Sequence, residues 1–145
     1  MWTYEHTIET PAKAETIFEI LEDVSRWSEW NAGVERIDLD GPFASGTSGV
    51  MVIPDQGSVS FRLAWVGEGR GFEDETEIAD AGVTVRVRHL LEPLAAGGTR
   101  ITYRATVEGP VSGPLGSEIG EEAVTADFPA VMAALAWRAE AVPTT

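Results

Sequence analysis

Five stretches of this chain alternate apolar and polar residues with a period of two, which commits them to strands and the middle of the chain to a sheet. Residues 2–9 put Trp2, Tyr4, His6 and Ile8 on one face. Val59–Val66 lines up Val59, Phe61, Leu63 and Trp65 against Ser60 and Arg62. Phe72–Ile78 sets Phe72, Asp74, Thr76 and Ile78 against Glu73, Glu75 and Glu77. Val83–Leu91 opposes Val83, Val85, Val87, His89 and Leu91 to Thr84, Arg86 and Arg88. Thr99–Val107 places Ile101, Tyr103, Ala105 and Val107 together, with Arg100, Thr102 and Arg104 on the other side. Two shorter stretches, Val34–Asp40 and Gly49–Ile53, complete the strand set. Turn residues separate them: Gly41-Pro42, Pro54-Asp55-Gln56-Gly57, the glycines at 67, 69 and 71, and Ala95-Ala96-Gly97-Gly98. The glutamates of one strand and the arginines of the next form opposite-charge pairs on a solvent face, which stabilise and set register.

Two segments break the period. After Thr10-Pro11, read as a cap and a first-turn residue, Ala14, Ile17, Phe18 and Leu21 fall at i, i+3, i+4 and i+7, the stripe of an amphipathic helix. Asp23–Trp30 reads as a second, short helix or a turn, with Trp27 and Trp30 anchoring it to the sheet edge. Past Gly109–Pro114, residues Leu115, Ile119, Ala123, Phe128, Met132, Leu135 and Ala139 lie near one helical stripe, with Glu118, Glu121 and Glu122 early and Pro129 expected to kink it. The order is β-α-α-β6-α, in a single domain over residues 1–145.

Composition narrows the partners. Acidic residues outnumber basic ones 24 to 10, giving a formal net charge of -14, and Lys13 is the only lysine. Such a balance repels phosphate backbones and anionic headgroups, so nucleic acid is not expected as a partner. With no cysteine and two isolated histidines, disulfides, thiolate zinc sites and metal coordination have no support, and no cofactor is expected. The start Met1-Trp2-Thr3-Tyr4-Glu5 lacks the regions of a signal peptide, and no apolar run approaches the roughly 20 residues of a membrane span. The expectation is a cytoplasmic protein without membrane insertion. Phosphate loops, nucleophile elbows and dinucleotide fingerprints are missing.

The element order and several local words resemble the START/Bet v 1-like (SRPBCC) superfamily, in its polyketide cyclase/dehydrase-type branch. The words are Thr10-Pro11-Ala12 followed by Ile17-Phe18, the run from Val24 to Asn31 with Trp27 and Trp30, Leu91-Glu92-Pro93, and Gly97-Gly98-Thr99-Arg100-Ile101-Thr102-Tyr103. The resemblance implies an α+β helix-grip fold: a curved seven-stranded antiparallel sheet around a long C-terminal helix, with two short helices closing one end. It implies a cavity between sheet and helix for lipids, sterols, hormones or polyketides. It brings no catalytic residues, because the superfamily shares none.

A curved sheet and one helix cannot close-pack everywhere, so the space between them holds either large side chains or a ligand. Phe61, Trp65, Phe72, Tyr103, Phe128, Met132 and Trp137 are the large side chains available, whereas alanines at 123, 126, 130, 133, 134 and 136 leave room beside the helix. The expected pocket is lined by Phe61, Leu63, Trp65, Val87, His89, Tyr103, Phe128 and Met132, and entered near Pro129 and Gly113–Gly120. His89, Asp74 and Tyr103 are the candidates for chemistry. A histidine or a carboxylate on an apolar strand face either finds a structural partner or serves as base, acid or ligand contact. The leading expectation is a binding protein or carrier for a small hydrophobic molecule. The alternatives are a polyketide cyclase or dehydratase using those three residues, and an interaction module of the Hsp90-activator type using the acidic surface. An uncovered sheet edge permits a homodimer.

Overall fold

The computed structural model describes residues 2–31, 34–54, 57–78, 82–108 and 128–141. Its strands are β1 (Trp2–Thr10), β2 (Arg36–Leu39), β3 (Ser48–Ile53), β4 (Gly57–Gly67), β5 (Gly71–Ile78), β6 (Val83–Pro93) and β7 (Thr99–Glu108). They form one antiparallel sheet in the order β1-β7-β6-β5-β4-β3-β2, so the first strand closes against the last. Helix α1 (Ala14–Glu22) and a 3₁₀ segment (Val24–Glu29) link β1 to β2, and helix α2 (Phe128–Glu140) follows β7. The seven strands lie where period two and the Gly/Pro punctuation put them.

The inner face carries the core. Ile17 and Leu21 of α1, Leu63, Phe72, Ile101 and Val107 of the sheet, and Met132 and Leu135 of α2 are essentially inaccessible. Each such side chain stabilises by roughly 1.5–3 kcal/mol relative to exposure. On the outer face the charged ladders pair as their register dictates: Glu73 lies opposite Arg88 and Glu75 opposite Arg86. Arg88 Nε donates to Glu73 at 3.2 Å, Arg86 Nε donates to Glu75 at 3.0 Å, and Arg86 also bonds Glu108.

Four expectations need correcting. Trp65 does not share a face with Phe61 and Leu63. The β4–β5 register shifts between Leu63 and Trp65, with Leu63 opposite Asp74 but Trp65 opposite Glu73. That bulge turns the indole to the outer face, where the Arg88 guanidinium sits 5.1 Å from its ring centre, and turns Val66 inward instead. A residue added to a strand reverses every side chain after it, and alternation alone does not mark where this happens. Trp137 fills no core space either, since it is 76% exposed. Ala130 and Ala133 face solvent, so they leave no room inside, and phenylalanine at 133 would fill nothing. Thr10, finally, does not cap α1. The helix begins after Lys13, and Thr10 Oγ1 accepts from the Ala12 amide at 3.2 Å while donating to Glu140 at 3.0 Å, which ties β1 to the end of α2.

Pro129 lies in the first described turn of α2, where a missing N–H is tolerated. The expected helical stripe from Leu115 to Ala123, with Glu118, Glu121, Glu122 and Ala126, lies outside the described residues, as does the expected entry at Gly113–Gly120.

Gly71 opens β5 with φ at +133°, and a Cβ built there would stand 1.9 Å from the His89 carbonyl oxygen. Only glycine lets β5 approach β6 this closely, and the approach seats the Phe72–His89 pair described below. Gly71→Ala is therefore expected to cost at least about 2 kcal/mol. Urea unfolding of the variant checks it, and a loss below about 0.5 kcal/mol would show that the strands can part without consequence.

Candidate functional site

Adjacent strands set three of the predicted residues side by side. In the registers of β5, β6 and β7, Phe72 lies opposite His89 and His89 opposite Tyr103. The Phe72 and His89 rings stack with centroids 3.9 Å apart and planes 12° from parallel. Tyr103 meets His89 edge to face at 4.4 Å, and Phe128 of α2 closes on Tyr103 at 5.4 Å. Asp74 stands one inward position along β5 from Phe72, between Leu63 and Val87, and its Oδ2 lies 3.9 Å from His89 Nε2. The strand period thus brings Asp74, His89 and Tyr103 together, and seats Phe61, Leu63, Val87, Phe128 and Met132 in the same buried cluster. Trp65 is the one predicted contact left outside.

Burial governs the electrostatics. It pushes the Asp74 carboxyl up to about 7, helped by the neighbouring Glu73 charge. It pulls His89 down to about 3, against the opposing effect of hydrogen bonds to the Phe72 and Val87 backbone. It also raises the Tyr103 phenol, with the Asp74 charge adding to it. His89 Nδ1 lies 3.4 Å from the Phe72 carbonyl. A carbonyl only accepts, so the neutral ring carries its proton on Nδ1 and presents the Nε2 lone pair toward Asp74. Near neutral pH the cluster holds an imidazole acceptor, a phenol and a carboxyl balanced between its two forms. Such a set can hydrogen-bond a carbonyl or hydroxyl, or exchange a proton with it.

Asp74 also borders an enclosed cavity of about 10 Å³, whose walls include Trp27, Phe43, Phe61, Leu63 and Phe72. That is room for about one water. The space predicted between sheet and helix is, among the described residues, largely occupied by rings: Phe43 and Trp27 pack on Phe72 at 5.1 and 5.9 Å, and Phe18 on Phe43 at 6.0 Å. Trp27 is pinned by its Nε1–H to the Leu21 carbonyl at 2.8 Å. Phe43 is only half-buried and stands in a connection outside the sheet ladder, which makes it the wall most easily displaced. Sequence reasoning missed it because it stands in the β2–β3 connection, beyond any strand or helix period. Among the described residues no three of His, Cys, Asp and Glu gather as a metal site would require.

A family model described as "Polyketide cyclase / dehydrase and lipid transport" matches residues 1–140. The chain belongs to this family. The family's fold recurs in solved structures that resemble the chain throughout. The Zhui aromatase/cyclase from Streptomyces sp. R1128 has a TM-score of 0.77 at 17% identity, covering 96% of this chain and 93% of its own. Norcoclaurine synthase from Thalictrum flavum, solved in complex with dopamine and hydroxybenzaldehyde, has 0.77 at 15%, covering 99% and 89%. Ara h 8.0201 has 0.75 at 15%, covering 97% and 99%. These likenesses show the Bet v 1-like helix-grip fold, and the family match places the chain in the SRPBCC superfamily. No curated protein sequence matches the chain. No described helix is long and apolar enough to cross a membrane.

Proposed function

We propose that this protein binds a small apolar molecule on the inner face of its sheet, and that Asp74 reads a carbonyl or hydroxyl on that molecule. The observation that carries this reading is a carboxyl set in an apolar wall beside a cavity, where its ionised form is disfavoured. A polar group so placed costs stability unless something bonds to it. The family description and the aromatic partners of norcoclaurine synthase support the same ligand class. A ligand larger than water enters by displacing Phe43, so the volume available is set by where that ring goes.

A second reading is proton transfer in a cyclisation or dehydration. It is favoured by the Nε2 lone pair of His89 standing 3.9 Å from a carboxyl that titrates near neutrality. Asp74 in its acid form would protonate a carbonyl oxygen, and His89 or ionised Asp74 would take the proton from the neighbouring carbon.

Mass spectrometry of a solvent extract of the purified protein, followed by thermal-shift screening of lipids, flavonoids and aromatic polyketides, tests binding. The expected result is one stabilising compound per chain, bound about tenfold more weakly by Asp74→Asn when it carries a carbonyl or hydroxyl. If no compound co-purifies and none raises the melting temperature, the inner face is core and the binding reading fails. Turnover that Asp74→Asn abolishes, with apolar binding retained, selects the enzyme over the carrier.

A further inference from the structure

A second concavity lies outside the sheet, between the 3₁₀ segment and the outward side of α2. It is an open groove of about 310 Å³ lined by Ser28, Glu29, Trp30, Ala134, Trp137 and Arg138. That volume is at the lower end of the range for small-molecule sites. Trp137 is, among the described residues, the exposed large hydrophobic, 76% accessible. The residues three and four positions before it are Ala134 and Ala133, too small to cover the indole from its own helix.

The polar groups around this ring are unevenly matched. Glu29 accepts from Arg26 Nε at 2.9 Å and from Arg138 Nη2 at 2.7 Å, so two guanidinium groups share one carboxylate. Asp23 adds a second carboxylate whose charge acts on Arg26. Arg138 commits Nη2 to Glu29 and presents a fork with further N–H donors. Trp30 forms another wall, and its Nε1–H is buried without an acceptor, a state that costs free energy until one arrives. An exposed aromatic face, a guanidinium with further donors and an unpartnered indole N–H converge on one ligand chemistry.

We propose that this groove is a second binding site, for a planar aromatic carboxylate whose ring stacks on Trp137 above Ala134 and whose carboxylate bonds Arg138. A bidentate guanidinium contact supplies orientation and most of the selectivity, and the indole supplies contact area. The groove shares no lining residue with the cavity beside Asp74, and Trp30 packs on Trp27 between them at 5.6 Å.

Naphthalene carboxylate titrated into the nitrogen-15-labelled protein tests this through the indole N–H signals. The expected result is saturable movement of the Trp137 and Trp30 signals together, with the neutral parent naphthalene bound about tenfold more weakly. Trp137→Ala and Arg138→Gln should each weaken binding by about tenfold or more, and both are expected to fold because neither side chain is in the core. Unsaturable shifts, equal affinity for naphthalene, or undiminished binding in Trp137→Ala would overturn the proposal. Movement of the Trp27 signal that persists in Trp137→Ala would place the ligand on the inner face and would equally reject the groove.

Discussion

Asp74→Asn is expected to stabilise the protein at pH 8 and to destabilise it modestly near pH 4. The folded chain holds this carboxyl at about 7, against an ordinary value of 3.8. Between those values the native state keeps a proton that the unfolded chain has released, so stability falls as pH rises through the window. The full shift of about three units corresponds to a ceiling of about 4 kcal/mol, from which the amide's own burial cost subtracts, leaving a gain of roughly 2 kcal/mol. His89 acts with the opposite sign. Its folded value of about 3 lies below the ordinary 6.5, so the unfolded chain gains a proton first, and stability falls as pH drops through that window.

From about pH 4 to 6.5 the two slopes cancel in the wild-type protein, because a neutral acid beside a neutral imidazole replaces a carboxylate and an imidazolium of equal total charge. Removing either group unmasks the other. Asp74→Asn should gain stability with rising pH across that range, and His89→Leu should lose it. Neither residue's charge is among the causes of the other's shift, so each slope survives the partner's removal. Denaturant unfolding at several pH values reads both slopes directly. Parallel profiles for the two variants would mean that the pair is solvated and that Asp74 is not poised for a ligand.

Phe72→Ala should be the most damaging single change in the cluster. The ring is 1% exposed, stacks on His89 and meets Trp27 and Phe43. Its removal forfeits transfer energy and opens a cavity, about 3–5 kcal/mol in all. Out of a typical total of about 5–15 kcal/mol, that lowers the melting temperature by roughly 10 °C. The enlarged cavity borders Asp74, so a benzene-sized compound is expected to recover part of the loss. A variant that melts within about 2 °C of wild type would show that the aromatic cluster is loosely packed.

Much of the cluster was legible in one dimension. Asp74, His89 and Tyr103 declared themselves as polar residues at inward positions of strands whose period held without interruption, and consecutive antiparallel strands necessarily made them neighbours. The same logic failed for Trp65, where a single bulge reversed the face, and for Trp137, where a short helix with alanines on both sides carries too little asymmetry to say which way the indole turns. Phe43 was illegible because a connection has no period. Its role depends on chain segments that meet only in the folded molecule.

Local chemistry therefore determined the strands, the turns, the first helix and the sign of the surface, because alternation, glycine and proline act through neighbours in sequence. Residues matched to the family's order determined the grip of sheet on helix. What only the tertiary structure decided was how full that grip is. Whether rings from β5, the 3₁₀ segment, the β2–β3 connection and α2 close on one another or leave a chamber depends on packing across sequence distances that no local pattern records.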